Sequence, residues 1–122
     1  MSATGSWVTI VWIGLGGGLG AAVRGASLMA FGDRPVVLHA INITGCLLAG
    51  FALARLDASN AEAWMRPLVV TGFLGGLTTM SAFATQAIGA GDERRLGASL
   101  LTALVVVGVC LLAAAMGGRL GR

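Results

Sequence analysis

The side chains in this sequence that could do chemistry are neutral hydrogen-bond donors in apolar stretches, with one arginine among them. Asn42 carries an amide with two N–H donors, and Arg24 is the one charge well inside an apolar stretch. Thr78, Ser81 and Thr85 follow one another at spacings of three and four, which would place their hydroxyls on one helical face. Groups of this kind are suited to binding an anion rather than to making or breaking covalent bonds.

Acidic side chains are absent from the apolar stretches of the sequence. The five acids all fall in connecting segments or at predicted helix ends, at Asp33, Asp57, Glu62, Asp92 and Glu93. A proton-coupled exporter needs a carboxylate within the membrane to carry the proton. The only histidine, His39, has no acidic neighbour in any apolar stretch, so no nucleophile–base pair is evident. We therefore expect no enzyme activity, and passive passage of an anion is favoured.

Each of these residues also has a plainer interpretation. Arg24 could be an interfacial anchor whose charged end reaches water, and Asn42 could form an interhelical hydrogen bond worth about 1 kcal/mol. The hydroxyls could bond back to the preceding helical turn. Met80 and Phe83, three residues apart, would ordinarily be packing residues. The residues alone leave both interpretations open.

The composition predicts a membrane protein. Of the 122 residues, 57% are apolar and 11% charged, whereas an ordinary soluble domain is about a quarter charged. Four apolar segments, at about residues 7–31, 36–54, 67–91 and 96–118, each approach or exceed the roughly 20 residues that span a bilayer. The fold class expected is therefore all-α, with four transmembrane helices in a single domain over residues 1–122. The eight arginines form no basic aromatic stripe, so no nucleic-acid partner is expected.

The third segment is predicted to be a helix broken near its middle. Residues 71–86 are crowded with glycines and hydroxyls although they lie within a charge-free apolar stretch. A loosened backbone in a bilayer is tolerated only where it is buried in protein or lines a wet cavity. The alternative is an unbroken helix whose small residues permit close packing, as the pairs Gly14/Gly18 and Gly16/Gly20 would in the first segment.

The arginines give little indication of orientation. Arg55, Arg66, Arg119 and Arg122 would lie on one side, against Arg34, Arg94, Arg95 and, near the interface, Arg24 on the other. Because the positive-inside rule has almost no bias to act on, the chain could insert both ways, and two opposed copies could pair about a twofold axis in the membrane plane. Alternatively, a partner or the insertion machinery settles a weak bias.

Three sequence runs resemble the Fluc (CrcB-type) fluoride channel family. They occur in the family's order at residues 17–24, 42–45 and 75–83, and the match covers essentially the whole chain. The third run is the most specific. The resemblance implies an antiparallel, dual-topology homodimer in the inner (plasma) membrane, in contact with lipid. It further implies two pores through which cytoplasmic fluoride leaves passively.

The same resemblance implies roles for individual residues. Arg24 matches the family's vestibule arginine and Asn42 its pore asparagine, while Ser81 and Thr85 match its polar lining. Phe83 and Met80 occupy the positions of a phenylalanine pair, with methionine replacing the first phenylalanine. Gln86 stands where some relatives carry a glutamate. The anion pathway would therefore comprise Arg24, Asn42, Met80, Ser81, Phe83, Thr85 and Gln86.

A structural sodium ion is the one cofactor that the resemblance implies. It would be held at the dimer axis by the backbone carbonyls of Gly75 and Thr78 from both subunits. Two alternatives from other classes stay open at this point: a small multidrug-type four-helix exporter and a non-transporting subunit of a membrane assembly.

Overall fold

The computed structural model describes residues 3–88 and 93–122, with side chains described for residues 7–85 and 96–122. The chain forms helices α1 (Ala3–Phe31) and α2 (Pro35–Ala58), then a π-helix (Pro67–Leu74) that continues into a single turn, α3 (Gly75–Leu77). Helices α4 (Ser81–Ile88) and α5 (Glu93–Leu120) follow. Within these residues there is no β-strand.

Among the described residues, four helical segments are long and apolar enough to cross a membrane: Trp7–Phe31, Pro35–Ala58, Pro67–Thr85 and Leu96–Leu120. This confirms the prediction of an all-helical chain with four such segments. Helix α2 extends beyond its predicted end near residue 54, so Arg55 lies in its last turn rather than in the connection. A cation there is favoured by the partial negative charge at a helix C-terminus.

The surface of a single chain is unusually apolar. Leu104 is 71% exposed, Met29 88% and Leu111 68%, whereas the buried apolar core is small and centred on Leu38 and Leu74. Water would penalise so large an exposed apolar area, but lipid tails or another copy would not. The exposure therefore agrees with a multi-pass membrane protein.

Helix α1 packs against the π-helix and α3 through glycines at both surfaces. A Cβ atom added at Gly16 would meet backbone atoms of Leu68 and Phe73, and one at Gly20 would meet Phe73 and Leu77. From Gly16 to Gly20 the contacted residues also shift toward the C-terminal end of the third segment, so the two segments run parallel. Cβ atoms added at Gly14 and Gly18 would meet nothing within 4 Å. Of the two glycine pairs in the sequence, only Gly16/Gly20 makes this close approach.

Helices α2 and α5 form the second parallel pair. A Cβ at Gly50 would strike the Ala114 carbonyl, and a Cβ at Gly117 would strike the Leu47 carbonyl. The two backbones therefore touch near the C-terminal ends of both helices. At the N-terminal half of α2, residues 78–85 of the third segment approach instead, and they complete the surroundings of Asn42.

Candidate functional site

The third apolar segment leaves helical geometry at residues 78–80. The Thr78 amide still bonds to the Leu74 carbonyl at 3.1 Å, but Thr78 itself is extended, with φ −84° and ψ 145°. Helical bonding resumes where the Ala84 amide donates to the Met80 carbonyl at 2.9 Å. We call residues 78–80 the interruption. Its backbone groups need partners from elsewhere, because they lie in an apolar setting.

Asn42 supplies two of those partners. The Thr79 amide donates to Asn42 Oδ1 at 2.8 Å, and Asn42 Nδ2 donates to the Thr79 carbonyl at 3.1 Å. Asn42 is 9% exposed, the only buried polar residue identified among the described side chains. Asn42 thus makes two hydrogen bonds to another segment, but to its non-helical part rather than to a helix as the sequence alternative assumed. One Nδ2 proton is left for a further acceptor.

Two carbonyls of the third segment lose their usual helical partners. In a continuous helix the Gly75 carbonyl would accept from the Thr79 amide, and the Thr78 carbonyl from the Ala82 amide. The Thr79 amide bonds to Asn42, and the Ala82 amide lies 3.5 Å from Thr79 Oγ1. Gly75 and Thr78 are the two residues whose carbonyls were expected to hold sodium. Carbonyl oxygens are ligands that hard cations accept, so this donor set fits such an ion.

The hydroxyls do not form the single row that a continuous helix would give. Thr78 belongs to the interruption, whereas Ser81 and Thr85 lie on α4. Thr78 Oγ1 donates to the Leu74 carbonyl and Thr85 Oγ1 to the Ala82 carbonyl, each at 2.9 Å. The expected back-bonding therefore uses both of these protons. Thr79 Oγ1 and Ser81 Oγ lie 3.0 Å apart, so one hydroxyl donates to the other and the second keeps its own proton.

A cavity of about 290 Å³ lies beside the interruption. Its polar wall is formed by Asn42, Thr78 and Thr79, next to Met80 and Phe83. The remaining wall comes from Cys46 and an apolar face of α5. The structure thus brings together Asn42, Met80 and Phe83, three of the residues that were proposed to form the anion pathway. Ser81 and Thr85 do not line this cavity.

Phe83 packs against His39, a residue for which the sequence suggested no role. The two ring centroids are 5.2 Å apart with a 45° tilt, and His39 Nδ1 is buried without a hydrogen-bond partner among the described residues. The sequence feature that could have pointed to His39 is its spacing, because it lies three residues before Asn42 on the same helix. Met80, in contrast to half-buried Phe83, is 58% exposed in the single chain.

The remaining predicted residues lie further from this cluster. Arg24 is half-buried and one turn beyond Gly20, which places it about 6 Å further along α1. Since Gly20 packs against Leu77, the parallel register puts Arg24 near the level of the interruption. No described acidic side chain pairs with it. The side chain of Gln86 lies outside the described residues.

Comparison with known proteins gives the chain's relatives. Residues 11–118 match the family model described as CrcB-like protein, Camphor Resistance (CrcB). The chain is 34% identical over 116 residues to "Fluoride-specific ion channel FluC 2" of Rhodococcus jostii, covering 93% of this chain and 98% of the relative. It is 38% identical over 98 residues to "Fluoride-specific ion channel FluC" of Acidobacterium capsulatum, covering 75% and 78%. A relative of the same name from Paracoccus denitrificans is 35% identical over 118 residues, covering 93% and 94%.

Proposed function

The chain belongs to the CrcB-like family, and we propose that it is a fluoride-selective ion channel through which cytoplasmic fluoride leaves the cell passively. The observation that carries the proposal is the agreement between relatives named fluoride-specific channels and a cluster of neutral donors around the interruption. A multidrug-type exporter is not favoured, because the apolar segments carry no acid to couple a proton.

The cluster suits a small, strongly hydrogen-bonding anion. Asn42 keeps one Nδ2 proton, and the Thr79/Ser81 pair keeps one hydroxyl proton. The edge of the Phe83 ring is electropositive and can face an anion, while the polarizable Met80 thioether has no such edge. Fluoride gains more from closely spaced donors than chloride does, because it is smaller and a stronger acceptor. Arg24 would attract the ion toward the pathway and offset its desolvation.

The direction of transport follows from the membrane potential. Neutral hydrogen fluoride crosses membranes, dissociates in the cytoplasm and is trapped there as the ion. A potential that is negative inside drives an anion outward by about 2.3 kcal/mol per 100 mV. A pore without a coupling ion is therefore sufficient to lower cytoplasmic fluoride.

The assembly proposed is an antiparallel homodimer with two pores. The interruption at residues 78–80 would then be a helix break inside the bilayer, close to the twofold axis. The Gly75 and Thr78 carbonyls of both copies would hold a sodium ion there, which would neutralise the facing carbonyl dipoles and fix the two copies together. Support comes from the diverted Thr79 and Ala82 amides and from Gly75, which is exposed in the single chain.

A flux assay tests the proposed function directly. Purified protein is reconstituted into liposomes loaded with potassium fluoride or potassium chloride, and efflux is started with a potassium ionophore and followed with ion-selective electrodes. We expect fast fluoride efflux and chloride retention close to that of protein-free liposomes. Equal leakage of both anions would contradict selectivity, and no leakage of either would contradict the channel.

A further inference from the structure

Two thiols, one on α2 and one on α5, line the cavity beside the interruption. The helices touch at Gly50 and Ala114, and one turn earlier on each helix lie Cys46 and Cys110. The Cys46 and Cys110 side chains line the same cavity. Both cysteines are free and half-buried. The proposed fluoride pathway uses neither of them.

A third sulfur lines the same cavity. Met80, at the end of the interruption, shares the cavity of about 290 Å³ with Cys46 and Cys110. Three sulfur-bearing side chains from α2, α5 and the third segment thus surround one space. The rest of its wall is largely apolar, apart from Asn42, Thr78 and Thr79.

The sulfur ligands and the apolar wall favour a soft cation over a hard one. Thiolate and thioether sulfur bind soft ions such as Cu(I) in preference to hard ones. Hard cations keep a hydration shell or need oxygen ligands, and an apolar wall replaces neither. A monovalent soft cation also satisfies charge balance. One thiol releases its proton to water and forms a metal–sulfur bond, and the second thiol and the thioether are neutral donors, so the site stays uncharged.

We propose that the cavity between α2, α5 and the interruption is a binding site for one soft monovalent cation, with Cys46 and Cys110 as its main ligands and Met80 as a third. The site shares its cavity and Met80 with the proposed anion pathway, but silver binding can be measured without any fluoride flux. It would join α2 to α5 at the point where their glycine contact ends.

Silver is the probe, used in a chloride-free nitrate medium so that it stays in solution. Purified protein, freed of reductant, is titrated with silver nitrate while bound silver is measured by equilibrium dialysis. Maleimide labelling of the two thiols is followed by mass spectrometry in parallel. We expect saturation at one silver ion per chain, protection of both cysteines from maleimide, and a raised unfolding temperature, since a ligand that binds only the folded state stabilises it.

Three variants test the ligand assignment: Cys46→Ala, Cys110→Ala and the pair together. Changes even in the surroundings of metal ligands typically lower affinity about tenfold or more, so each single variant should lose at least that much and the pair should abolish binding. Met80→Leu should weaken binding less. Size-exclusion profiles and unfolding without silver check that the variants are folded, and Cys→Ser replacements serve if an alanine variant is not.

The proposal is overturned if silver binds the folded double variant as tightly as the unaltered protein. It is equally overturned if silver fails to saturate at one ion per chain, or if bound silver leaves the two thiols open to maleimide. Sodium and magnesium nitrate are the control salts. Neither should protect the thiols, and protection by either would contradict the argument from soft ligands.

Discussion

At the scale of single residues, Asn42 holds the third segment in its non-helical form. The Asn42 side-chain amide accepts from the Thr79 N–H and donates to the Thr79 C=O. No other described side chain bonds to both of these backbone groups. Without Asn42, both backbone groups would be unpaired in an apolar setting. The same amide retains one proton for an anion. The structural role and the proposed permeation role therefore fall on the same residue.

Replacing Asn42 by leucine should destabilise the fold as well as stop flux. Each buried backbone group left unpaired costs about 1–3 kcal/mol, so the unfolding midpoint in a denaturing detergent should shift clearly downward. Thr44→Val, at an exposed position on the same helix, is the control and should leave the midpoint near that of the unaltered protein. Equal midpoints for Asn42→Leu and Thr44→Val would contradict the role assigned to Asn42.

By the family resemblance, Met80 stands where a phenylalanine of the pore pair is expected. Met80→Phe should restore an electropositive ring edge beside Phe83. If the gain of about 0.5–1.5 kcal/mol for one aromatic contact lowers the barrier to permeation, fluoride efflux from liposomes should be about two- to tenfold faster. Met80→Leu, similar in size but without sulfur or ring edge, is the matched control. If both variants conduct like the unaltered protein, residue 80 does not contact the ion.

At the scale of elements, two parallel helix pairs position the site. Glycines in α1 permit close contact with the π-helix, and glycines in α2 and α5 permit close contact between those helices. The interruption is held between the pairs, next to the N-terminal half of α2. Leu77, the residue before the interruption, lies against Gly20 of α1, so the geometry of the interruption depends on that helix contact.

Alanine substitutions at two nearby glycines of α1 distinguish the effect of close packing from that of helix propensity. Gly20→Ala places a methyl group against the Phe73 carbonyl, and overpacking of this kind typically costs about 1–3 kcal/mol. Gly18→Ala meets nothing within 4 Å and should be neutral or gain up to about 1 kcal/mol from helix propensity. Unfolding midpoints of the single chain in detergent measure the difference. A midpoint for Gly20→Ala at or above that for Gly18→Ala would contradict the packing described.

Much of the element scale could be predicted from the sequence, because apolar segments of membrane-spanning length need no tertiary information. The family resemblance was likewise confirmed by the match over residues 11–118. The sequence did not distinguish Gly16/Gly20 from Gly14/Gly18, since both pairs have the same spacing and only the docked partner separates them. Nor could it predict that Asn42 bonds to Thr79, because the residues are 37 positions apart. Hydroxyl spacing also misled, since it assumed one continuous helix.

At the scale of the whole molecule, a substitution at Gly75 tests the assembly of two copies without disturbing the fold of one. A Cβ at Gly75 would meet only the Val70 carbonyl, at 3.8 Å, so Gly75→Ala should leave the single chain folded. In the proposed dimer the added methyl would crowd the shared carbonyls at the axis. We expect weaker dimerisation, measured by cross-linking at decreasing protein-to-lipid ratios, and a loss of any sodium dependence of dimer stability. Unchanged dimerisation would contradict the position given to Gly75.

For comparison, Gly76→Ala would strike the backbone of Gly17 and should lower the stability of the single chain itself. The two variants thus separate assembly from folding at adjacent positions. Should both lower chain stability equally, the distinction drawn from their surroundings would be wrong.

Orientation in the membrane is the second prediction at this scale. Asn60→Lys with Ala63→Lys adds two positive charges to the exposed connection after α2, which should hold that side in the cytoplasm. Reporters fused to the C-terminus should then show one orientation instead of two, and flux should fall because opposed partners are missing. The control is Asn60→Gln with Ala63→Gln. If the unaltered chain already shows a single orientation, the antiparallel dimer is wrong.

The parallel pairing of α1 with the third segment has a consequence for biosynthesis. The surface of α1 that receives the third segment is complete long before its partner leaves the ribosome, since Leu77 follows Gly20 by roughly fifty to sixty residues, or several seconds of translation. During that time the glycine surface of α1 lacks the segment that packs against it. Helix α2 emerges in the interval but contacts α1 sparsely. Both parallel pairs can therefore form only after the third and fourth segments have been synthesised.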